Sequence, residues 1–558
     1  MKCLRSSIPV EMAAAVFVIS HLLAADAQAG APTFRWAQRA GGLDRDYGTG
    51  VAVDSADNSS VLGKFNGPTA HFGSMTLTNG GLFVARYNPN GNPLWVRQVA
   101  PPSLANAPLT DYYIPRITAD ALGNTYVAGM FYGQMDFGEA TLVNGDPNAP
   151  DMFLAKYDTA GNLAWARKGA QSGATNRVYV SASNGDAAGN CYLAGYYLGP
   201  ASFGGTVLTG VDLFITKFDT TGDVAWARRL LGGSAALPRM IAPGASGDYY
   251  LAGHFSGNTV TFGSFTFTNA GSFDLFLLRY DSAGNLLWAR QGGGAGPDDF
   301  AGIGVDATGD CYLAGRITGS SGNASVSFDG CTLTNTIAFL VKYDRAGNVR
   351  WCRRGLQISG DPILTVGLIL RSAVDAAGNS YLHGLFQSTA TFDNISLTNR
   401  GGTGDNPGDY PSSFLAKFDA DGQVAWAKQF GGGDGEHNYF EKSGIAVDAA
   451  GNGSVTGFFV ITNSPFDTFT LSPVSSDEDV FVARFDADPP PLNLTRAGDS
   501  IVLSWPTNQP GFVLECANSL AATNGWSLLT NAVTVVGFQN FLTNTATGDS
   551  QFYRLRKQ

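Results

Sequence analysis

The chain has 558 residues, a formal net charge of −11 and 15% charged residues, against about 25% in an average soluble protein. Hydrophobic residues make up 44%, enough for a large core, so a disordered chain is excluded. An acidic chain with no basic block is also a poor candidate for nucleic-acid binding. Its 71 glycines and 12% aromatics, without long helical periodicity, indicate an all-β protein rich in turns.

The first 29 residues have the features of an export signal. Two basic residues precede an apolar run at 12–25, and the small residues at 27–29 suit cleavage near Ala29. The apolar run is too short to favour a membrane span. We therefore expect a mature chain that begins near Gly30 and is secreted or otherwise lies outside the cytoplasm, in the periplasm or at the cell surface.

A segment that carries a tryptophan recurs along most of the chain. YDSAGNLLWAR at 280–290 represents it, and each copy predicts a strand end, a type I turn with Asp or Asn first and Gly fourth, and a second strand with the Trp. Successive copies of this Trp are 59–75 residues apart. Such a period predicts a repeat architecture, for which four-stranded propeller blades are the all-β candidate.

Four strands, which we name a to d, can be followed within one period. The fifth repeat predicts strand a at 300–306, strand b at 311–317, a short hairpin around 326–335, strand c at 339–344 and strand d at 349–354. Strand d carries the recurring Trp.

The strand count predicts how the repeats close. Strand c and the Trp strand each occur seven times, but the first Trp strand, FRWAQR at 34–39, precedes any complete repeat. The last strand c, at 481–486, is followed by no Trp strand. Joining the two would close a ring and remove its open edge. We therefore predict a seven-bladed β-propeller over 30–488, closed by the N-terminal Trp strand.

The repeat pattern D-x-x-G-N-x-Y-x-x-G, followed by F-x-x-K-Y-D-x-x-G-N-x-x-W, resembles the bacterial β-propeller repeat usually called SBBP. The resemblance covers residues 34–486, and the first and last repeats depart from it, with Ser60 and Ser454 in the place of Tyr. It implies a propeller fold and little about activity, because propellers host many functions. Clear copies of the pattern are DAAGNCYLAG at 186–195, DATGDCYLAG at 306–315 and DAAGNSYLHG at 375–384.

The composition changes after the propeller repeats. The prolines at 489–491 predict a stiff linker, and residues 492–558 contain short alternating strands with Trp505 and Trp526. These strands predict a small β-sandwich. The segment resembles the fibronectin-III-like C-terminal modules of secreted bacterial proteins, of which the closing FYRLR is typical.

Five cysteines remain after removal of the predicted signal. Cys191, Cys311, Cys331 and Cys352 stand where other repeats have small or apolar residues, which favours buried thiols. A Cys331–Cys352 disulfide is the alternative in an oxidising compartment. The spacing does not match a metal site.

The acidic turns allow two interpretations. DADG at 419–422 and NPNG at 88–91 resemble the beginning of a calcium-binding loop. Neither supplies the distal bidentate Glu, so we favour hairpin turns with Asx hydrogen bonds over a Ca²⁺ site. No other cofactor is expected.

Thirteen basic residues recur at two positions, one before the aromatic of strand c and one two residues after the Trp. We interpret them as structural, because a propeller has one axis but many equivalent blade positions. Trp288 and Arg290 share a strand face, which predicts a stacked guanidinium between blades. A ring that attracts anions is the alternative. The thirteen are Arg86, Lys156, Lys217, Arg279, Lys342, Lys417, Arg484, Arg97, Arg167, Arg228, Arg290, Arg353 and Lys428.

Catalysis has little support in the sequence. It contains no HExxH, GxSxG, CxxC or glycine-rich phosphate loop. The histidines at 71, 254, 383 and 437 fall at unrelated points of the repeat, and we interpret them as solvated or core residues. We nominate no catalytic residue, although carboxylates that meet across the ring would leave acid–base chemistry open.

Binding is expected on one face of the propeller. The b–c and d–a connections share this face, which we call the loop face, and they hold the irregular loops at 100–113, 143–151 and 399–413. Acidic residues of the d–a loops are candidate binding residues, with solvated loop charges as the alternative. They are Asp44, Asp46, Asp298, Asp299, Asp434 and Glu436.

We therefore expect a secreted, non-catalytic binding protein that presents its loop face to a polysaccharide, a cell-surface polymer or a protein. The expected partner is a protein or glycan on a cell surface or matrix, and no nucleic acid. One alternative is a secreted carbohydrate-active hydrolase or lyase with its site in the axial funnel. A structural cell-surface component is another.

Overall fold

The chain divides into two compact units in a computed structural model. The large unit spans Pro32–Asp486, and the small unit comprises Met1–Ala31 with Ala487–Gln558. The structure describes residues 15–18, 31–100, 115–146, 150–169, 177–244, 246–317, 325–334, 336–359, 370–386, 388–399, 412–431, 443–459, 464–475, 477–486, 492–497, 500–506, 512–517, 526–536, 539–545 and 550–557.

In the described part of the large unit, seven sheets share one plan. In each sheet, strands a, b, c and d lie side by side in that order and run antiparallel. In order from a to d, sheet 1 is Tyr47–Val53, Ser59–Phe65, Gly81–Tyr87 and Pro93–Ala100; sheet 2 is Arg116–Ala119, Thr125–Phe131, Asp151–Tyr157 and Leu163–Lys168; sheet 3 is Arg177–Gly185, Cys191–Leu198, Val211–Phe218 and Val224–Arg229; sheet 4 is Ala236–Pro243, Tyr249–Phe255, Asp274–Tyr280 and Leu286–Gly293; sheet 5 is Asp298–Val305, Cys311–Ile317, Ala338–Tyr343 and Val349–Ser359; sheet 6 is Leu370–Val374, Ser380–Phe386, Ser412–Phe418 and Val424–Phe430; sheet 7 is Gly444–Val447, Gly453–Phe459, Asp479–Phe485 and Phe34–Gly42.

Each b–c connection contains a short hairpin, where the sequence predicted one explicitly only around 326–335. Three of these hairpins pair with strand d of the preceding sheet, through Ala40 with Phe72, Gly292 with Phe328, and Gln357 with Thr391. They cover an edge that would otherwise be open. The hairpins are Thr69–Phe72 with Met75–Thr78, Gln134–Asp136 with Thr141–Val143, Ala201–Phe203 with Thr206–Leu208, Thr259–Phe262 with Phe265–Thr268, Ser325–Phe328 with Cys331–Thr334, Thr389–Phe392 with Ile395–Thr398, and Ser464–Phe466 with Phe469–Leu471.

The N-terminal Trp strand belongs to the last sheet. Phe34–Gly42 pairs antiparallel with Asp479–Phe485, so that Trp36 lies opposite Arg484. This is the pairing that the strand count predicted. Strand a of each sheet contacts strand a of the next, and strand a of sheet 7 contacts strand a of sheet 1.

The a–b turns show why the repeat has Asp, Gly, Asn and Tyr at fixed spacing. Asp186 Oδ1 accepts the Asn190 amide at 2.8 Å, and its Oδ2 accepts the Asn190 side chain at 2.8 Å and the Tyr192 hydroxyl at 3.3 Å. One carboxylate therefore fixes the turn and anchors the first aromatic of strand b. The same Asp–Tyr contact occurs at Asp120–Tyr126, Asp306–Tyr312 and Asp375–Tyr381.

The c–d turns connect neighbouring sheets through the recurring Trp. Trp95 of sheet 1 donates its Nε1–H to the Thr159 carbonyl at 3.1 Å, in the c–d turn of sheet 2. Its ring lies against Gly161, whose φ is 82°, and a Cβ at that glycine would lie 2.6 Å from the ring. The recurring Trp thus packs between adjacent sheets. Equivalent hydrogen bonds join Trp36 to Pro89, Trp165 to Thr220, Trp288 to Arg345, and Trp351 to Ala420.

The cysteines divide into two kinds. Cys191 and Cys311 are buried free thiols, as predicted. Cys331 and Cys352 form a disulfide between the hairpin and strand d of sheet 5, with their Cα atoms 6.2 Å apart, so the buried-thiol interpretation was wrong for this pair. Alignment of the repeats indicated which side-chain sizes fit these positions, but not that the two positions are neighbours.

The small unit contains two four-stranded sheets that share a core. Ile501, Leu503 and Leu542 of one sheet pack with Leu514 and Leu555 of the other. Its strand Ala15–Val18, inside the predicted export signal, pairs in parallel with Ser550–Lys557, so cleavage of that signal would uncover an edge. The remaining strands are Asn493–Ala497, Ser500–Pro506, Phe512–Ala517, Ser527–Leu528, Thr534–Val536 and Gln539–Thr545.

Helix is almost absent from the described part of the chain, where the one such element is a 3₁₀ turn at Gly233–Ala235. Accordingly, the described residues contain no helix with the length and hydrophobicity needed to cross a membrane.

The contact between Trp and turn glycine predicts a specific loss of stability. We expect Gly161→Ala to lower the free energy of unfolding by about 2–4 kcal/mol, because it adds an overpacked contact with Trp95 to the strain of a left-handed alanine. Gly138→Ala is the matched control, because Gly138 has a φ of 84° and a Cβ added there would have nothing within 4 Å. The control should lose about 1 kcal/mol, from backbone strain alone. Equal losses in urea unfolding would contradict the role of the Trp contact.

Candidate functional site

The recurring basic residues are part of the scaffold. Arg279 lies 2.6 Å from the Asp248 carboxylate and packs over the Tyr250 ring. Arg290 packs over Trp288, with 5.4 Å between its guanidinium carbon and the ring centroid, and donates to the Gly347 carbonyl of the next sheet at 2.7 Å. The predicted stacked guanidinium is therefore confirmed, and these cations are engaged within the fold.

The c–d turns have the hydrogen bonds of Asx turns. Asp419 Oδ1 accepts the amides of Asp421 and Gln423 at 3.0 and 2.8 Å. Asn88 Oδ1 accepts two amides in the same way, at 2.9 and 3.0 Å. The geometry supports the hairpin-turn interpretation. Across the described ranges, no group of three or more His, Cys, Asp or Glu side chains is arranged to hold a metal ion.

The structure does not bring the candidate acidic residues into one cluster. Asp44 and Asp46 lie between sheets 7 and 1, whereas Asp298 and Asp299 lie between sheets 4 and 5. Asp434 and Glu436 lie outside the described residues, as do most of the predicted binding loops at 100–113 and 399–413 and part of the loop at 143–151. The binding role of these residues and loops stays a prediction.

Two of these acids are buried rather than solvated. Asp46 and Asp298 are 0% and 1% exposed, and burial raises the pKa of each to about 7. Asp46 lies just before strand a of sheet 1, and Asp298 is the first residue of strand a of sheet 5. In each case the loop that precedes strand c of the neighbouring sheet covers the acid. The sequence did not indicate that these two side chains are buried, because loop residues next to glycines usually face solvent.

Asp299 is the centre of a charged network between sheets 4 and 5. Its carboxylate accepts a hydrogen bond from His254 Nδ1 at 3.3 Å, and lies 3.3 Å from the Arg316 guanidinium and 3.7 Å from that of Arg239. Burial by itself would raise the pKa of Asp299. The hydrogen bond from His254 and the two arginine charges outweigh burial and lower the pKa to about 2. Asp299 is therefore ionised and holds His254 in a fixed orientation.

His254 and Arg316 occupy a position where the repeats differ. It is the residue after the glycine of strand b, close to the loop face, and it varies in size and charge from sheet to sheet. Because a scaffold position tends to keep its chemistry in every repeat, this variable position is a candidate for binding. The seven residues are Lys64, Met130, Tyr196, His254, Arg316, Leu385 and Phe458.

A cavity of about 330 Å³ opens on the loop face between sheets 3 and 4. Tyr196, His254 and Phe273 supply its aromatic walls, and Tyr196 is held by stacking on Tyr179 with ring centroids 4.4 Å apart. Its polar side chains are few, as is usual for a ligand cavity. The lining residues are Tyr196, Leu198, Val211, Asp212, Gly233, Ala235, Ala236, Leu237, His254, Ser256 and Phe273.

Apolar side chains at and near this cavity are unusually exposed. Phe273 is 38% exposed and Val211 is 46% exposed. Leu231, which is close in sequence to the lining residue Gly233, is 54% exposed. Leu231 also has a φ of 60°, a left-handed conformation that is costly for a leucine. Strained residues of this kind are concentrated at binding and catalytic sites. The region combines concavity, exposed apolar surface and an oriented imidazole.

The interpretation of the histidines as solvated or core residues was right for two of them and did not anticipate the contact of His254 with Asp299. His71 is exposed and hydrogen-bonded to Thr76 at 3.0 Å. His383 is fully buried against Phe430, and burial lowers its pKa to about 3. His437 lies outside the described residues. The variability of its position in strand b was the signal that could have singled out His254.

Comparison with known proteins gives distant relatives. No protein-family model matches the chain. It is 24% identical over 333 residues to an uncharacterized WD repeat-containing protein of Acanthamoeba polyphaga mimivirus, covering 48% of this chain and 24% of that protein. It is 28% identical over 178 residues to the regulatory protein FlaEY of Caulobacter vibrioides, covering 30% of this chain and 18% of that protein. The chain thus spans a quarter or less of the length of these relatives.

Solved structures resemble the chain only loosely. An ulvan lyase described as a polysaccharide lyase has a TM-score of 0.39 and 11% identity, covering 77% of this chain and 93% of that one. Puromycin hydrolase has a TM-score of 0.38 and 12% identity, covering 83% and 59%. Neither likeness identifies a function. The all-β repeats and the WD-repeat relative place the large unit among repeat proteins of β-propeller type.

The Asp299 network predicts a pH-dependent contribution to stability. We expect Asp299→Asn to lower the free energy of unfolding by about 2 kcal/mol at pH 7, because the ionised carboxylate is stabilised by His254 and two arginines. The pKa is lowered in the folded chain, so this contribution is present above pH 3.8 and disappears as the pH falls towards 2. Urea unfolding at pH 7 and near pH 2.5 measures it, with exposed Asp44→Asn as the control. A loss that is the same at both pH values would contradict this account.

Proposed function

We propose that the large unit is a seven-bladed β-propeller closed by the strand Phe34–Gly42, and that the exported protein binds a neutral polysaccharide in the cavity on its loop face. The observation that carries the binding proposal is this cavity, with its exposed aromatic rim and oriented His254. Export is proposed from the signal-like residues 1–29. The small unit would be a fibronectin-III-like sandwich.

Three contacts support the closed ring. Phe34–Gly42 pairs with strand c of sheet 7, and strand a of sheet 7 contacts strand a of sheet 1. Trp36 also donates to the Pro89 carbonyl of sheet 1 at 2.9 Å, as Trp95, Trp165, Trp288 and Trp351 do to the sheets that follow them. One strand therefore belongs to the last sheet and packs on the first.

Removal of this strand tests the closure. We expect a chain without residues 31–40 to lose much of its thermal stability, because two sheets lose their shared partner. Trp36→Ala should cost about 3–5 kcal/mol, since a buried Trp and its hydrogen bond are lost. Leu43→Ala, at a side chain that is 60% exposed, is the control. Calorimetry of the mature chain measures all three, and an unchanged melting temperature on deletion would refute the closure.

The lining of the cavity favours sugar over other ligands. Aromatic rings such as Phe273 and Tyr196 match the apolar C–H faces of pyranose rings, while His254 and Ser256 can hydrogen-bond hydroxyl groups. The net charge of −11 disfavours a polyanion through long-range repulsion. A neutral polysaccharide, one segment of which enters the cavity, satisfies both constraints.

A binding panel of soluble neutral polysaccharides, β-glucan, xylan and mannan, tests the proposal. We expect one of them to bind and Phe273→Ala to weaken its Kd by about tenfold or more, because an exposed aromatic at a cavity rim acts as an anchor. Leu122→Ala is the matched control, since Leu122 is 78% exposed but lies in an a–b turn on the opposite face. Binding to none of them, or equal Kd values for the two variants, would refute the site.

A second candidate function is hydrolysis of the same class of polymer. The hydrogen bond between Asp299 and His254 is the observation that favours it, because it would orient an imidazole as a general base at the cavity. Assay of reducing ends released from the bound polysaccharide decides the matter. Activity that His254→Ala abolishes, with binding kept, would assign the chain to the enzymes.

A further inference from the structure

Two buried carboxyl groups lie side by side where sheet 4 meets sheet 5. Asp274 begins strand c of sheet 4 and Asp298 begins strand a of sheet 5, with 0% and 1% of their surfaces exposed. Phe273 and Pro297 form a parallel bridge, and the Asp298 amide donates to the Phe273 carbonyl at 3.1 Å. Since parallel strands keep successive residues alongside each other, the two acids that follow are neighbours.

Most of their oxygen atoms lack a good hydrogen bond. Asp274 Oδ2 accepts from the Ala270 amide at 2.9 Å and from Gln291 at 2.8 Å. Asp274 Oδ1 and both oxygens of Asp298 are buried with no well-aligned donor in the described part of the chain, although the Gly294 amide is close to Asp298. Buried polar atoms are almost always satisfied, so three such atoms in one place point to a partner that is not a protein group.

The same pair of acids occurs once more, with its charge compensated. Between sheets 7 and 1, the Asp46 amide donates to the Glu478 carbonyl at 2.7 Å, which sets Asp46 beside Asp479. There Arg39 of strand d lies 3.0 Å from Asp479, and Asp46 accepts the amides of Gly42 and Asn66 at 2.5 and 3.0 Å. The residue of strand d that faces Asp274 is Gln291 in place of an arginine.

Sheets 2 and 3 follow the compensated pattern. Strand c of sheet 2 begins with Asp151, which lies 3.5 Å from Lys168, and strand c of sheet 3 has Asp212 paired with Arg229. Among the described residues, no lysine or arginine forms an ion pair with Asp274 or Asp298, because the nearby Arg239 and Arg316 pair with Asp299. The junction between sheets 4 and 5 thus buries two acids and lacks the cation that pairs with the strand-c acid of sheets 2, 3 and 7.

We propose that this junction binds a hard cation of the Ca²⁺ type, held by the carboxylates of Asp274 and Asp298. Backbone carbonyls of the adjoining loops and water would complete the six to eight oxygen ligands that Ca²⁺ takes. Gly294 and Ala295 bring carbonyl oxygens to this loop, where they pack against Gly271. The cation replaces the guanidinium that Arg39 supplies at the equivalent junction. The proposal does not depend on the identity of the ligand in the cavity.

The melting temperature of the full mature chain in CaCl₂ and in EDTA tests the proposal. We expect CaCl₂ at millimolar concentration to raise it by about 2 °C or more at pH 8, because an ion that binds only the folded state stabilises it. The rise should disappear in Asp298→Asn, which removes a ligand. It should also disappear in Gln291→Arg, which supplies a protein cation, and that variant should melt higher than the wild type in EDTA. Asp44→Asn, at an exposed acid of the other junction, should keep the rise.

The rise with Ca²⁺ is measured for each variant against itself in the two buffers, so only the comparison of Gln291→Arg with the wild type in EDTA depends on the stability of a variant. No difference between CaCl₂ and EDTA in the wild type would overturn the proposal. So would a rise that persists in both Asp298→Asn and Gln291→Arg, since Ca²⁺ would then bind elsewhere, for example at the c–d turns. If the melting temperature of the wild type does not change with Ca²⁺ but rises from pH 8 to pH 6, a shared proton and not a cation neutralises the pair.

Discussion

The contact between the tryptophan of strand d and the glycine of the next c–d turn is the constraint on which the large unit depends. Each such contact requires a glycine for two reasons. Its positive φ lets the turn form, and its missing Cβ leaves room for the indole ring, as at Gly161 against Trp95. The indole N–H then satisfies a turn carbonyl of the neighbouring sheet. One contact therefore shapes a turn and fixes the position of two sheets relative to each other.

The remaining recurrent residues are used within the same framework. The a–b carboxylate satisfies turn amides and the tyrosine hydroxyl, and the basic residue of strand c packs over that tyrosine ring, as Lys217 does over Tyr192. Residues with such demanding partners cannot also face a ligand. The positions that vary, such as His254 after the glycine of strand b, lie outside these recurring contacts and reach the loop face. In this architecture, specificity for a ligand is therefore expected at the positions that differ between repeats.

The sequence predicted the order of strands, the c–d turns and the guanidinium stacked on Trp288, because each depends on a local pattern that repeats. It also predicted the pairing of the N-terminal strand, because the strand count leaves one strand over at each end. It could not decide which side chains of different elements meet. The Cys331–Cys352 disulfide joins the hairpin of sheet 5 to its strand d, and the approach of Asp299 to His254 and the burial of Asp298 depend on how adjacent sheets meet. Residue type supplied a set of candidate acids, but their environments differ completely: Asp298 and Asp299 are adjacent, yet the pKa of one is raised and that of the other lowered.

That contrast follows from the alternation of a strand. Successive side chains point to opposite sides, so Asp299 faces His254 and two arginines while Asp298 faces Asp274. The first carboxylate is balanced by protein cations and serves the cavity side. The second shares a buried site with another acid, and Phe273, next to Asp274, forms part of the cavity wall. A cation at the acid pair would therefore order the loop that carries Phe273, so the proposed ion site and the proposed ligand site are joined through one residue.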